Sequence, residues 1–321
     1  MSTRVKPRPR LANAYTEDGR PVVARVPHMN GDYLQASIQT AVSLLGDLER
    51  VVRPGDAVFV KPNFNTANRT PLSTDLGFLA AVIEVLQDHG ARVTVGEMCG
   101  RMAWPTANVI ASLGVMPVLR RYGVPFVDFE HDEWLELEIP GRHWRILHVP
   151  RTIYEARSRV YLPNMRCHSS ARFTCSLKLG VGWISPEDRE DLHRDRQTTE
   201  EKVPEVHLGW QPDLVLVDGR RSTVGWHGRG EYVYPNLIMA SGDMVAVDTE
   251  AVKILQTFPA ENRLGVPPAD LAQITAARAY GLGSIDYVVR EAPAHARTEQ
   301  EAITDPSALE VAAATGLGTT A

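Results

Sequence analysis

Cysteine is scarce in this chain: its 321 residues include three, Cys99, Cys167 and Cys175. An odd and small number argues against a disulfide framework and suits a reducing compartment. No two of them form a Cys-x-x-Cys pair, so the usual ligand sets of a zinc ribbon or an iron–sulfur cluster are missing. We therefore expect no iron–sulfur cluster, and the sequence does not determine whether another cofactor is used.

Long apolar runs are also missing. No stretch approaches the roughly 20 apolar residues that a transmembrane helix needs, and the N-terminus lacks the apolar core of a secretory signal. The net charge of −5 and the pI near 6.1 do not give the basic surface of a nucleic-acid-binding domain. We expect a cytoplasmic protein that acts on a small molecule, without nucleic-acid or membrane partners; a homo-oligomer or a partner subunit stays open.

The composition is that of an ordinary globular protein, with 44% hydrophobic and 23% charged residues. The length fits one large α/β domain over residues 21–291, with a division into two lobes, about 21–150 and 151–291, as the alternative. The segments 1–20 and 292–321 are expected to be flexible tails, and the residues before Pro21 look irregular.

Strands and helices alternate along most of the chain. Ala57–Val60 is a short apolar run typical of a buried parallel strand. A helical pattern follows from Leu76 to His89, Gly90 ends it, and Arg92–Val95 predicts the next strand. We expect an α/β fold with a mostly parallel sheet, helices on both faces and a small antiparallel hairpin insertion within 134–149.

Ligands of such sheets bind beyond the carboxyl ends of the strands. This rule selects the polar residues that follow predicted strands: Lys61, Asn63, Glu97, Asn164 to His168, and Asp218. A lysine at a strand end is suited to hold an anionic substrate, and an asparagine to orient it. The alternative is a lysine paired with a neighbouring carboxylate and an asparagine that holds a turn.

The segment from Asn164 to Lys178 is an unusually dense polar run without an apolar stripe of helical spacing. A histidine that titrates near neutral pH and a lysine are suited to proton transfer, anion binding or Schiff-base chemistry. We predict three catalytic residues: His168, Lys178 and Lys61. The nearby candidates for substrate binding are Asn63, Asn164 and Arg166.

Four further residues are candidates for substrate binding, each with an alternative. His193 follows an acidic run that is typical of a solvated helix face. Asp218 ends a strand and is suited to bind a metal, a hydroxyl or Arg220. Asp248 lies among apolar residues, where a carboxylate is costly unless paired, so it is a site residue or the partner of a buried cation. His227 lies in a glycine-rich loop without a nucleotide-binding spacing. No set of metal ligands is predicted.

Several motifs, taken in order and spacing, carry a resemblance to a known family. They are Val60-Lys61-Pro62-Asn63, Thr74-Asp75 before a helix, Leu162-Pro163 followed by His168, Leu177-Lys178-Leu179-Gly180, and a closing set of Val217-Asp218-Gly219 and Gly242 to Asp248. From about Val22 to Val289 the chain resembles the DUF362 family of α/β proteins. The family pattern is also distantly similar to the N-terminal part of nickel-pincer lactate racemases, in which a histidine and a lysine serve an anchored cofactor.

Three departures from the family pattern concern the predicted site. The family has lysines where this chain has Asn164 and Arg166, and Lys-Asn where it has Lys178-Leu179. It often has Gly-Pro in the loop that here reads Gly225-Trp226-His227-Gly228. Many members also carry an iron–sulfur module, for which this chain lacks cysteines. The resemblance implies the scaffold, and the departures imply a changed substrate or a lost activity.

The leading hypothesis is an enzyme that acts on a small anionic or polar metabolite by proton transfer, as in an elimination or isomerisation, within specialised biosynthesis. In this hypothesis, Lys61, Arg166 and Lys178 hold negative charge and His168 is the general acid or base, while the aspartates orient the substrate or bind a metal. One alternative is an enzyme with a redox or metal cofactor. Another is a non-catalytic binding or partner subunit.

Overall fold

The computed structural model describes residues 3–9, 11–29, 31–225, 230–260 and 263–293. The strands are β1 Thr3–Val5, β2 Thr16–Glu17, β3 Arg20–Pro27, β4 Ala57–Lys61, β5 Arg92–Glu97, β6 Phe126–Asp128, β7 Trp134–Glu138, β8 Ile146–Pro150, β9 Ser158–Tyr161, β10 Arg166–His168, β11 Arg172–Thr174, β12 Leu214–Gly219, β13 Ser222–Val224, β14 Glu231–Val233, β15 Leu237–Ser241 and β16 Val288–Glu291. The α-helices are α1 Leu34–Leu45, α2 Leu76–Asp88, α3 Thr106–Leu113, α4 Val115–Arg121, α5 Arg151–Glu155, α6 Ser176–Leu179, α7 Pro186–Arg194, α8 Thr199–Glu205, α9 Met244–Gln256 and α10 Ala272–Ala279.

The central sheet has the strand order β16-β3-β15-β12-β9-β4-β5-β6, and β2 pairs with β3 outside this path. Strand β15 runs antiparallel to both of its neighbours, and the other pairings along the path are parallel. The predicted fold class, a mostly parallel sheet between helices, is confirmed. Strand β9 pairs with β4 on one side and β12 on the other, so one sheet joins the 21–150 and 151–291 segments.

Helices cover both faces of this sheet because successive strand residues point to opposite faces. In β4, Val58 and Val60 pack with the helices α1 to α4, whereas Phe59 belongs to the core on the other face. That second core includes residues of α6 to α10, such as Val247 of α9. Within the described residues, no helix is long and apolar enough to cross a membrane.

The predicted hairpin insertion is confirmed: β7 and β8 pair antiparallel, with Trp134 opposite Pro150. The prediction that the residues before Pro21 are irregular is wrong for two short strands, since β1 adds to β7 in parallel and β2 pairs with β3, whereas residues 6–9 and 11–15 contain no helix or strand. The free edge of β7 offers backbone hydrogen bonds that a short N-terminal segment can satisfy, and Tyr15 is buried. Most of the predicted C-terminal tail, residues 294–321, lies outside the described residues.

Side chains cap the starts of two helices near the candidate site. Asp75 caps α2 by accepting a hydrogen bond from the Phe78 amide at 3.0 Å, and Ser185 caps α7 by accepting one from the Asp188 amide at 3.1 Å. Helix α2 ends before Gly90, which has a φ of +86°. The Asp75 cap fixes the end of the loop that follows β4, and the Ser185 cap fixes the end of the loop that precedes α7. Both loops border the candidate site.

Candidate functional site

A cavity of about 640 Å³ lies at the carboxyl ends of β4, β5 and β9 and is closed on one side by α6 and α7. Most of the residues predicted for the site line it: Lys61, Asn63, Asn164, Arg166, His168, Lys178 and His193. Asp218 and Asp248 are not part of this lining, and His227 lies outside the described residues. A second cavity of about 640 Å³ opens at the amino ends of the strands, beside Ser158 and Asp213.

The first cavity is strongly cationic, although the whole chain carries a net charge of −5. The cationic side chains that line it are Lys61, Arg101, Arg166, Lys178, Arg189, Arg194 and Arg196. Among the described lining residues, Glu97 and Glu190 supply the carboxylates, and each of them already forms an ion pair within 2.6 Å. The lining therefore has an excess of positive charge, which favours an anionic ligand.

Lys61 is paired inside the protein. Its ammonium group donates to Glu97 Oε2 at 2.5 Å and to the Pro62 carbonyl at 2.7 Å, and the side chain is 0% exposed. Burial lowers the pKa of Lys61 to about 8, although the Glu97 carboxylate opposes this shift. The structure therefore shows the second arrangement considered from the sequence, a lysine paired with a neighbouring carboxylate. Lys61 supports the floor of the cavity and is less suited to bind a ligand.

Asn63 and Asn164 use their side-chain amides to hold the loop after β4. Asn63 Nδ2 donates to Asn164 Oδ1 at 2.9 Å and to the Leu72 carbonyl at 3.1 Å. Asn164 Nδ2 donates to the Ser73 carbonyl at 3.4 Å, and Asn164 is 3% exposed. Both asparagines border the cavity, but the geometry gives them a structural role in the loop.

Arg166 and Lys178 differ from Lys61 because, within the described part of the chain, neither has a carboxylate partner. Arg166 donates from Nη1 to the Cys167 carbonyl at 3.2 Å, while its buried Nε has no hydrogen-bond partner. Burial lowers the pKa of Arg166 to about 10, and burial together with the charges of Arg166 and Arg189 lowers the pKa of Lys178 to about 8. Two cations with little compensation thus face the cavity.

The ring of His168 has a defined tautomer. Its Nδ1 accepts hydrogen bonds from the backbone amides of Ser170 at 3.2 Å and Ala171 at 3.3 Å, so Nδ1 carries no proton. Burial and the positive charges of Lys178 and Arg166 lower the pKa of His168 far below its usual range. The neutral ring must therefore carry its proton on Nε2, and it is suited to donate a hydrogen bond rather than to accept a proton.

Arg189 and His193 come from the face of α7 that borders the cavity. The Arg189 guanidinium donates to the carbonyls of Cys99 at 2.7 Å, Met98 at 3.1 Å and Gly182, so it joins two walls of the cavity and forms no ion pair with a carboxylate of the described residues. Desolvation and the charges of Lys178 and Arg189 lower the pKa of His193 to about 4. His193 is therefore neutral near pH 7 and adds no positive charge to the lining.

Asp248 lies outside the lining but positions the helix that carries Lys178. Its Oδ1 accepts from the Ser176 amide at 2.8 Å and from Ser176 Oγ at 2.6 Å, and its Oδ2 accepts from the Leu177 amide at 3.0 Å. Burial raises the pKa of Asp248 to about 6 despite these bonds. It thus binds backbone amides at the start of α6 and is not the partner of a buried cation.

Replacing Asp248 with asparagine is expected to lower the free energy of unfolding by about 2–3 kcal/mol, because an amide group would point a donor at buried donors. The matched control is Ser176→Ala, which keeps both backbone bonds to Asp248 and should cost about 1 kcal/mol. Urea unfolding of the three proteins measures the difference. Equal losses in the two variants would contradict a special role for the carboxylate.

Asp218 is also committed to the protein. Its carboxylate accepts from Arg220 Nε at 2.9 Å and Nη2 at 2.8 Å, and Arg220 bridges to Asp75 at 2.8 Å. Of the partners considered from the sequence, Arg220 is the observed one. This network links β12 to the start of α2 and lies behind the loop that Asn63 and Asn164 hold.

Several lining residues escaped the selection of site residues from the sequence. Glu97 is the last residue of β5 and meets the strand-end rule, but it was not among the predicted catalytic or binding residues, because its pairing with Lys61 depends on tertiary contact. Arg189 lies within an acidic run. The one indication that it faces the protein interior is its position three residues before the buried Leu192, on the same side of the helix. Arg101, Arg194 and Arg196 belong to segments without any motif signal.

The fold and cavity define a class: an α/β protein with a cationic cavity at the carboxyl ends of its parallel strands. The model of the domain of unknown function DUF362 matches residues 58–253, and the chain belongs to this family, as its motifs predict. The thylakoid-associated protein sll1697 of Synechocystis sp. is 28% identical over 252 residues, which are 73% of this chain and 76% of that protein. The lactate racemase apoprotein of Thermoanaerobacterium thermosaccharolyticum is 11% identical with a TM-score of 0.37, and the match covers 76% of this chain but 59% of the racemase.

Proposed function

We propose that this protein is a cytoplasmic enzyme that acts on a small anionic metabolite by proton transfer, as in an isomerisation or elimination. The observation that carries the proposal is the pair Arg166 and Lys178, which line the cavity without a carboxylate partner among the described residues. Cations in a desolvated site are costly unless an opposite charge compensates them. An anionic substrate supplies that charge.

The roles of the residues follow from their protonation. Arg166 stays charged and offers donors that match a carboxylate. Lys178, with a pKa of about 8, is neutral in about one molecule in ten at pH 7, so it can take up and return a proton. The Nε2–H of neutral His168 is suited to donate a hydrogen bond to an oxygen that gains charge in the reaction.

These roles revise the hypothesis drawn from the sequence. There, His168 was the general acid or base and Lys178 held the anion. The occupied Nδ1 of His168 and the low pKa of its ring argue against proton transfer by His168, so Lys178 takes this role in addition to contributing positive charge to the anion site. Lys61 is assigned to the buried pair with Glu97 that supports the floor.

Hydrogen–deuterium exchange at carbon tests the proposal without knowledge of the full reaction. The protein is incubated in D₂O with a panel of 2-oxo and 2-hydroxy carboxylates, and proton NMR follows exchange at the carbon beside the carbonyl or hydroxyl. We expect at least one acid to exchange, and His168→Ala to slow this exchange about 10²–10³-fold through loss of the hydrogen-bond donor.

The control is His131→Ala, which removes an exposed histidine outside the cavity lining and should leave exchange unchanged. Circular dichroism checks that both variants keep the fold. Binding of carboxylates without any exchange would instead support a non-catalytic binding protein. Exchange that is unaffected by His168→Ala would contradict the role of that residue.

A further inference from the structure

The lining of the cavity includes four apolar side chains that differ widely in exposure. Met98 is 1% exposed, Val181 7%, Trp104 43% and Met102 100%, and all four line the cavity. Met98 and Val181 are buried like Lys61, whereas Trp104 and Met102 are exposed to water. We call these four residues the apolar strip.

Hydrogen bonds help to hold the loop that carries the outer part of the apolar strip. The loop that contains Met102 and Trp104 is fixed by other contacts: the Gly100 amide donates to the Asn65 carbonyl at 2.9 Å, and the Cys99 amide donates to Thr106 Oγ1 at 2.9 Å. At its start, a Cβ on Gly100 would lie 2.6 Å from Asn65 Oδ1 and 3.2 Å from the Asn65 carbonyl oxygen, so Gly100 packs closely against Asn65.

Large apolar side chains that remain in water beside a cavity mark a binding surface more often than a packing role. Met102 makes no contribution to the core, since its side chain is fully exposed. Trp104 offers a flat, rigid ring with few rotatable bonds, which lowers the entropy cost of contact with a ligand. Both side chains lie at the mouth of a cavity whose inner surface is cationic.

We propose that the ligand of this cavity is an amphipathic carboxylate, whose charged head lies at Arg166 and Lys178 and whose apolar tail or ring lies along the apolar strip. Trp104 and Met102 are then specificity-determining residues. The volume of about 640 Å³ is within the range of pockets that hold small organic ligands. This inference rests on the proposed function, because it uses the same cationic floor for the head group.

Isothermal titration with three probes separates the two parts of the ligand. Acetate carries the head alone, 4-phenylbutyrate carries head and ring, and 4-phenylbutanol carries the ring without the charge. We expect 4-phenylbutyrate to bind at least about tenfold more tightly than either of the other probes, since burial of a ring and compensation of the cations both contribute.

Two variants and one control locate the ring. Trp104→Ala should weaken 4-phenylbutyrate about fivefold or more, and Met102→Ala about twofold to threefold, while neither changes the affinity for acetate. If Trp104→Ala disturbs the loop, Met102→Ala still tests the apolar strip, because the fully exposed Met102 side chain can be removed without a loss of packing. The matched control is Tyr33→Ala, which removes an aromatic side chain that is 86% exposed and lies outside the cavity lining.

The outcomes distinguish this inference from the proposed function. Equal affinities for acetate and 4-phenylbutyrate, or equal losses for both probes in Met102→Ala and Trp104→Ala, would overturn the apolar strip while the anion site stands. Equal affinities for 4-phenylbutanol and 4-phenylbutyrate would overturn the anion site and leave the strip. Failure of every probe to bind would overturn both.

Discussion

Replacing Glu97 with glutamine is expected to lower the free energy of unfolding by about 3–5 kcal/mol, since the Lys61 ammonium would remain buried without a counter-charge. Glu97 accepts from Lys61 at 2.5 Å and from the amides of Phe64 at 3.0 Å and Met98 at 2.9 Å. A neutral amide would keep part of this hydrogen bonding but would not compensate the lysine. Guanidinium unfolding followed by circular dichroism measures the loss.

The chain offers a matched control at the mouth of the same cavity. The ion pair between Arg101 and Glu190 has a distance of 2.6 Å, but its side chains are 68% and 58% exposed. Glu190→Gln should therefore cost about 0–1 kcal/mol. Adding Lys61→Met to Glu97→Gln should recover much of the lost stability, because it removes the uncompensated charge. Similar losses for the two glutamate variants would show that the Lys61–Glu97 pair is not desolvated.

Replacing Lys178 with methionine is expected to slow the proton transfer about 10²–10⁴-fold while leaving the protein folded. The deuterium exchange described above is the readout for this loss. The same variant should not lose stability, because methionine matches the length of the lysine stem and removes a charge that has no carboxylate partner among the described residues. Retained exchange in Lys178→Met would assign the proton transfer to another group.

The pH dependence of stability reports on the same lysine. Its pKa is lowered from 10.5 to about 8 in the folded protein, so between these values the unfolded chain binds more protons than the folded one. The free energy of unfolding should then rise with pH over this window, by up to about 1.4 kcal/mol per pH unit for one lysine. Lys61 contributes the same sign in both proteins, so the wild type minus Lys178→Met isolates Lys178. Parallel curves from pH 8 to 10.5 would contradict the lowered pKa of Lys178.

The sequence predicts the framework of the site well because strand and helix signals are local. The apolar run before Lys61, the cap at Asp75 and the glycine at position 90 each act within a few residues, and the structure forms these elements. The strand-end rule then places Lys61, Asn164 and His168 at one edge of the sheet without knowledge of their contacts.

The roles of individual side chains were less predictable because they depend on partners distant in the sequence. Lys61 and Glu97 are 36 residues apart, and Asn63 and Asn164 are 101 residues apart. The tautomer of His168 depends on the turn between β10 and β11, which lies in the polar run that lacks a helical pattern. The apolar neighbours of Asp248 in the sequence predict that it is buried. They do not predict its partners, because no sequence signal marks the backbone amides that it binds.

The most direct test of the account is the change in the free energy of unfolding caused by Lys178→Met at pH 7 and low salt, without added ligand. If Lys178 is an uncompensated cation held ready for an anion, the variant should be as stable as the wild type or more stable by about 1–2 kcal/mol. A loss similar to that expected for Glu97→Gln would mean that Lys178 is already paired within the protein, and it would contradict the anion-binding site.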